Sequence, residues 1–355
     1  MIQSPQDAVL DDLCDYLAEA AIQLDKSGDW PAEQLARCGE QGVFRWFLSG
    51  TWGGYDWSMK EVIEGYLRLS GACLSTTFIL TQRTGACRRI AGSSNEEIKA
   101  ELLPKLASGE IFASVGISHL TTSRRHLANP VLQAKETAGG FELNGFSPWV
   151  TGGKHCDYIV TGATLDDGRQ LLAVVPGDLK GVTCDEPPEL MSLTSSHTGS
   201  VKFDGVQLDR RWLLDGPIEN VMSQGTGART GGLETSTLAI GLSAAAIGFL
   251  QQESDKRADL EEATESLSKE QVRLREAVLS AASGEPVCST EELRTDANRL
   301  AMRSTQAALT AAKGAGFVAG HPAGRWCREA LFFLVWSCPQ PVTQKLMCEF
   351  ASLQS

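Results

Sequence analysis

The chain has 355 residues, of which 42% are hydrophobic and 21% charged, as is ordinary for a globular protein with two or three packed units. Acidic residues outnumber basic ones by 44 to 32, and the net charge of −12 argues against nucleic acid as a partner. Ten cysteines lie singly with no CxxC pair, which favours reduced thiols in a cytoplasm and argues against a zinc site or a disulfide framework. The scattered cysteines predict no metal site, and no membrane partner is expected because neither a signal peptide nor an apolar run of membrane-spanning length is predicted.

Residues 1–110 are predicted to form a helical N-terminal domain. The segment "PQDAVLDDLCDYLAEAAIQL" carries apolar residues at helical spacing. A second segment, "SNEEIKAELLPKLASGE", opens with a Ser-Asn cap signal and an acidic first turn. The glycine-rich stretch "SGTWGGYDWS" between them is predicted to be a loop.

Residues 111–215 are predicted to form a middle β domain. The short runs "FASVGIS", "YIVTGAT", "LLAVVPG" and "GSVKFDGVQL" alternate, are rich in β-branched residues and are separated by Gly, Asp and Pro turns. Helical patterns return in residues 216–355, after a glycine-rich linker. Three long helical segments there, and a last one near 323–336, predict a four-helix bundle.

One stretch of the β domain, "FELNGFSPWVTGG" (141–153), carries a candidate binding surface. Trp149 and Thr151 lie two residues apart, so both face the same side of a strand. A buried strand end followed by a hairpin turn explains this pattern. A large flat ring beside a hydroxyl and two glycines also suits a surface for a flat ligand.

Five segments, in the same order, resemble the acyl-CoA dehydrogenase family. They are "GTWGGYDWS", "GSSNEEIKAELLPKLASGE", "FELNGFSPWVTGG", "TSSHTGSVKFDGVQLDRRWLL" and "AGFVAGHPAGRWCREALFF". The second is the most specific, being close to the family's "GSEEQK…LPKLASGE". The resemblance implies a mainly helical fold with a central β domain: a helical N-terminal domain, a β-barrel-like middle domain and a C-terminal four-helix bundle.

The resemblance implies that FAD binds this chain. Trp149 and Thr151 match the residues that lie against the flavin isoalloxazine ring in the family. Ser118 stands at the position of a threonine whose hydroxyl bonds to the flavin. The loop after Ser118 lacks the family's Glu-Pro and glycines, and residues 124–126 ("RRH") there either contact an anionic group or form a solvated loop.

The other half of the cofactor site is implied to come from a neighbouring subunit. Arg257 and Gln271 match the arginine and the glutamine of the family's dinucleotide-binding stretch, although "LE" (260–261) replaces its Phe-Gly. In "TAAKGAGF", Lys313 replaces a glycine of the family's turn, whereas Gly314 and Gly316 remain. Lys313 either offsets the charge of the replacing glutamate at a pyrophosphate or is a surface charge.

The family's catalytic glutamate is absent from its usual place. Counting from Pro322 without a gap, that position is Ser337, and a serine is not a base unless another group activates it. Some members carry the glutamate on the first bundle helix, at a position corresponding to Leu238. Glu234 lies one turn earlier on the same face, so it is an alternative base, or else an acidic first-turn residue favoured by the helix dipole.

These residues lead to one expected function and two alternatives. The expected protein is a cytoplasmic, FAD-dependent oxidoreductase that acts on CH–CH groups of an acyl thioester and assembles as a homo-oligomer, a dimer or a tetramer. A flavin-dependent monooxygenase of the same fold does not need the glutamate, and it would use FAD, FMN or reduced flavin supplied in trans. A degenerate member without cofactor is the non-enzyme alternative.

Overall fold

The computed structural model describes residues 1–121, 130–224 and 232–353. The N-terminal part is helical, as predicted, and local signals fix where its helices begin. Asn95 accepts a hydrogen bond from the backbone N–H of Ile98, and Ser58 forms a capping box with Glu61. The helices are α1 (Ala8–Ser27), α2 (Ala32–Glu40), α3 (Met59–Ala72), α4 (Leu74–Gly92) and α5 (Glu96–Ser108).

Helix α4 connects two hydrophobic cores. Phe78 and Ile79 belong to the core that the N-terminal helices share with the C-terminal ones, whereas Ala86 and Ile90 belong to the core beneath the sheet. Helix α4 is buried on nearly all sides and has no polar stripe. Its middle and its C-terminal half therefore lie where the helical and β parts of the molecule meet.

The middle part of the chain is a β-sheet, as predicted. Its strand order is β6-β7-β3-β2-β4-β5-β8, and β1 pairs in parallel with β4. The strands are β1 (Ala113–Gly116), β2 (Leu132–Glu136), β3 (Gly140–Val150), β4 (Tyr158–Thr164), β5 (Gln170–Pro176), β6 (Val182–Cys184), β7 (Gly199–Asp209) and β8 (Leu213–Ile218). A short helix, α6 (Ser118–Thr121), follows β1, and α7 (Val221–Gln224) follows β8.

An irregularity at the end of β3 sets the direction of Trp149. Strands β3 and β7 pair antiparallel, and their register shifts between Ser147 and Val150. A bulge of this kind bends the strand and re-aims the side chains around it. Trp149 lies inside the shifted stretch.

The C-terminal part is helical, and its first helix is central to the core. This helix, α8 (Leu233–Ser254), packs against α3 and against the two helices that follow it, α9 (Glu261–Ala282) and α10 (Thr290–Gly316). Gly241 allows the close approach to α3, since a Cβ there would lie 1.9 Å from the Ser70 hydroxyl.

The structure corrects the expectation that no apolar run reaches membrane-spanning length. Leu233–Ser254 is long and apolar enough by composition to cross a membrane, but 67% of that apolar window is buried inside the protein. A central bundle helix is apolar on all sides because other helices surround it.

The end of the chain also differs from its prediction. The last predicted helix, near 323–336, ends at Phe332 as α11 (Pro322–Phe332), and residues 333–337 form turns. A further helix, α12 (Gln340–Phe350), was not predicted. It is short and buries few side chains, so its apolar periodicity is weak.

Candidate functional site

A cavity of about 670 Å³ lies where the sheet meets the helices. Its walls come from α4, the ends of β1 and β3, the loop 190–198, the start of α8, and α11 with the turn that follows it. The cavity therefore draws on all three parts of the chain. Five of the sequence-predicted site residues line it: Ser118, Trp149, Thr151, Glu234 and Ser337.

One wall carries the three residues predicted to contact a flavin ring. Thr151 is buried and its hydroxyl is 2.9 Å from that of Thr198. The hydroxyl oxygen of Ser118 is buried and has no hydrogen-bond partner among the described residues. Trp149, by contrast, leaves 48% of its surface exposed.

This wall fits a flat heteroaromatic ring with polar edge atoms. A buried hydroxyl without a partner is costly, and a bound ligand that hydrogen-bonds to it removes that cost. A half-exposed indole likewise offers a large apolar face for stacking. The isoalloxazine of a flavin has both features, so Ser118, Trp149 and Thr151 fit the cofactor that the sequence predicted.

Glu234 lies in the cavity wall and is paired with Arg88. The carboxylate forms an ion pair with the guanidinium of Arg88, and their side chains are 24% and 15% exposed. Glu234 is also in the first turn of α8, where a carboxylate is favoured by the helix dipole. Among the described residues that line the cavity, it is the only carboxylate, beside Arg88, Arg89 and Arg328.

Ser337 faces the same cavity from the turn after α11. Its φ of +43° is unusual for a residue other than glycine. Arg294 holds this turn by donating hydrogen bonds to the carbonyls of Phe333 (3.1 Å) and Trp336 (2.8 Å). Burial lowers the pKa of Arg294 to about 10.

Aromatic side chains form the apolar part of the cavity. Phe332 and Trp336 stack with ring centroids 5.0 Å apart. Phe78 meets both of them edge-on at 4.9 Å. Such edge-to-face contacts are favourable and make a firm wall next to Ser337.

The remaining predicted cofactor residues lie outside this cavity. They are Arg257, Gln271, Lys313, Gly314 and Gly316. Arg257 lies just before α9 and donates a 2.8 Å hydrogen bond to the carbonyl of Ala311 on α10. The two arginines and the histidine at 124–126 lie outside the described residues.

Lys313 interrupts helix α10 with a backbone that suits glycine. Its φ of +55° and ψ of −145° are sparsely populated by residues with a side chain. The chain therefore keeps a glycine-like conformation where the resembling family has glycine. Lys313 is exposed and, among the described ion pairs, forms none with Glu261.

Three residues of the cavity were not singled out from the sequence. Arg88 pairs with Glu234 across 146 positions, and "RR" in "GACRRIAG" gives no sign of this. Ser196 and Thr198 were quoted only as part of a resembling segment. Their spacing gives no signal of this pairing, because residues two apart share a side on an extended strand, whereas Thr194–Ser196 form a tight helical turn and His197 has a left-handed backbone.

The chain is similar to known proteins in sequence and in fold. Residues 3–110 match the family described as "Acyl-CoA dehydrogenase, N-terminal domain". "Probable acyl-CoA dehydrogenase YngJ" from Bacillus subtilis (strain 168) is 24% identical over 240 residues, 65% of this chain and 62% of that protein. The N-terminal domain of this chain is therefore similar to that of acyl-CoA dehydrogenases.

A further relative and a solved structure extend the similarity. "Acyl-CoA dehydrogenase AFT10-1" from Alternaria alternata is 32% identical over 143 residues, which cover 39% of this chain. The chain spans 31% of the length of that relative. A glutaryl-coenzyme A dehydrogenase structure superposes with a TM-score of 0.82 at 17% identity, covering 98% of this chain and 96% of the other.

A monooxygenase has the same fold. The dibenzothiophene monooxygenase of Paenibacillus sp. A11-2 superposes with a TM-score of 0.80 at 16% identity, covering 96% of this chain and 94% of the other. The predicted fold class, a central β domain between helical domains, is confirmed.

Proposed function

We propose that this chain is an FAD-dependent oxidoreductase that acts on a CH–CH group of an acyl thioester. One observation carries the proposal. Ser118, Trp149 and Thr151 line one wall, where the Ser118 hydroxyl has no hydrogen-bond partner among the described residues and the Trp149 indole is half-exposed. The named dehydrogenases among the relatives support the same reaction class.

Some residues of the cavity would bind the cofactor and the acyl chain, and others would take part in proton transfer. A bound FAD would supply the two-electron acceptor. Trp149 would cover one face of its ring and exclude water, and the hydroxyls of Ser118 and Thr151 would bond to its polar edge. The aromatic wall around Phe332 would hold the apolar part of an acyl chain.

The α-proton of a thioester needs an acceptor, and Glu234 is the described carboxylate that lines the cavity. To accept a proton, it must give up or share its ion pair with Arg88. Ser337 is not itself a base, and the carboxylate among the described residues that line the cavity is that of Glu234. The reaction is therefore expected to be slow for an acyl-CoA dehydrogenase, unless Glu234 acts.

The serine at 337 favours a second candidate, a flavin-dependent monooxygenase. Such an enzyme needs no base at this position, and FMN or reduced flavin supplied in trans would serve in place of resident FAD. The fold is compatible, since a dibenzothiophene monooxygenase shares it.

A homo-oligomer, a dimer or a tetramer, is part of the proposal. Arg257 and Lys313 lie outside the cavity of their own chain, as expected if they complete the site of a neighbour. Beside Lys313, Phe317 and Val318 leave 87% and 64% of their surface exposed, and a neighbouring subunit would cover this apolar surface. We also propose a cytoplasmic location, because the ten cysteines are free thiols.

Visible absorbance of the purified protein and titration with FAD and FMN test the proposal. Flavin that co-purifies, or that binds on reconstitution, supports an enzyme; a protein that stays colourless refutes both candidates and favours the degenerate alternative. Oxidation of acyl-CoA without added oxygen then supports the dehydrogenase, and oxygen consumption with reduced flavin supports the monooxygenase.

The indole gives a sharper version of this test. Trp149→Ala should weaken FAD binding by about tenfold, because loss of an aromatic stack costs about 1 kcal/mol or more. Trp52→Ala is the matched control, since Trp52 is half-buried and does not line the cavity. Equal FAD affinity in both variants would mean that Trp149 does not contact the cofactor.

A further inference from the structure

Three hydroxyls form a continuous hydrogen-bonded chain along the cavity wall. The Ser196 oxygen is 2.8 Å from that of Thr198, which in turn is 2.9 Å from that of Thr151. All three residues line the cavity, and Ser196 and Thr151 are buried. Because each hydroxyl can both donate and accept, a reversal of the hydrogen-bond direction at one end of such a chain can reverse the direction at the other end.

An unusual backbone at His197 accompanies the hydrogen bond between the hydroxyls of its two neighbours, Ser196 and Thr198. His197 has a φ of +45° and a ψ of 43°, the left-handed region that residues with a side chain seldom adopt. The backbone N–H of Gly152 donates to the carbonyls of Ser196 (3.0 Å) and His197 (3.2 Å). These two hydrogen bonds hold the loop 190–198 against Gly152, the residue that follows Thr151.

The side chain of His197 fixes the same loop from the opposite side. Its Nε2 is 3.0 Å from the carbonyl of Gly28, so this nitrogen carries a proton and donates it. In the neutral ring the other nitrogen then accepts from Nε2 of His155 at 2.9 Å. His155 stacks on Trp30, with ring centroids 4.3 Å apart and an interplanar angle of 8°. The strained backbone is thus held by several contacts.

The number of protons allows the chain of hydroxyls to run in either of two directions. Three hydroxyls carry three protons, and two of these make the two internal bonds. In one direction Ser196 donates to Thr198 and Thr198 donates to Thr151; in the other, Thr151 donates to Thr198 and Thr198 donates to Ser196. The spare proton is that of Thr151 in the first direction and that of Ser196 in the second, and both residues line the cavity. A ligand that accepts from Thr151 favours the first direction, and a ligand that donates to Thr151 favours the second.

We propose that Ser196 and Thr198 let Thr151 serve both redox states of the flavin, by donating to the oxidised ring and accepting from the reduced one. This rests on the proposed function. An oxidised flavin presents a nitrogen lone pair at the edge of its central ring, and a reduced flavin presents an N–H at the same atom. The hydroxyl chain matches either by reversing, without moving a side chain. Thr198 and Ser196 are thus positioning residues that act through Thr151.

Removing the middle hydroxyl should disfavour the reduced state. In Thr198→Val, Thr151 still donates to the oxidised ring. Opposite the reduced ring, however, its proton has no acceptor, and such an unsatisfied buried donor should weaken binding of the reduced state about tenfold more than that of the oxidised state. For a two-electron couple this moves the potential about 30 mV more negative.

The experiment is a spectroscopic redox titration of the FAD-loaded protein and its variants. Thr198→Val is expected to show the negative shift, and Thr198→Ser, which keeps the hydroxyl, is expected to restore the wild-type potential. Thr81→Val is the matched control, because the Thr81 hydroxyl lines the same cavity but donates to the carbonyl of Phe78. An unchanged potential in Thr198→Val, or an equal shift in Thr81→Val, overturns the inference.

Two further outcomes separate this inference from the proposed function. If Thr198→Val does not retain FAD, Ser196→Ala decides the matter. It removes the last acceptor of the reversed chain, so a shift of the same sign is expected, and an unchanged potential overturns the inference. Wild-type protein that binds no flavin overturns both the proposed function and the hydroxyl chain, whereas loaded variants with unchanged potentials overturn the chain alone.

Discussion

Replacing Ser337 with glutamate should supply the missing base. The position already tolerates a side chain at a φ of +43°, so glutamate adds no new kind of backbone strain. Ser337 is half-buried and lines the cavity, so a carboxylate there would be partly desolvated and more basic than in water. General-base assistance is worth about 10²–10⁴-fold in rate, or about 3–5 kcal/mol of barrier. We therefore expect Ser337→Glu to raise the rate of flavin reduction by saturated acyl-CoAs by about that factor.

Anaerobic stopped-flow bleaching of FAD, with acyl-CoAs of several chain lengths, measures this rate. Ser337→Gln is the matched control, since it has the size of glutamate without its basicity and should stay as slow as the wild type. Rapid bleaching of the wild type would refute the reasoning about Ser337. If Glu234→Gln then abolished that bleaching, the base would lie on α8 instead. A gain in Ser337→Gln equal to that in Ser337→Glu would show that shape, and not basicity, was limiting.

Three further predictions concern stability and assembly. Asn95→Ala should lower the free energy of unfolding, measured by urea unfolding, by about 1–3 kcal/mol, because Asn95 caps α5 and donates to the carbonyl of Leu213 at 2.9 Å. Asn95→Asp keeps the cap but not this donor, so its free energy of unfolding should fall by less. Burial lowers the pKa of His119 below its ordinary value of 6.5, so the stability that its neutral form contributes is present above pH 6.5 and is lost as the pH falls through the lowered value. His119→Asn should therefore lose less stability than the wild type between pH 7.5 and 5.5, and equal losses would contradict the assignment. Light scattering at micromolar concentration should give two or four times the chain mass of 38.1 kDa, and a monomer would contradict the shared site.

The sequence by itself determined the elements and part of one wall of the site. The cap signal before "EEIKAELLPKLAS" predicted α5, and Asn95 does cap it. Alternating β-branched runs predicted β1, β4, β5 and β7. Trp149 and Thr151, predicted to share one face, both line the cavity. These features depend on neighbours within a few residues, through helical period, strand alternation and capping, and so they can be read directly from the chain.

Only the tertiary structure decided which side chains meet. Arg88 reaches Glu234 across 146 positions, and Thr151 reaches Thr198 across 47. Glu234 could be read as an ordinary first-turn acid until α4 and α8 were packed against each other. The apolar composition of α8 likewise left open what surrounds it, and the fold places it at the centre of the bundle. The physical reason is that a hydroxyl, carboxylate or guanidinium carries no information about its partner. The packing of distant elements decides which groups meet, and which buried group, such as the Ser118 hydroxyl, is left without a partner among the described residues.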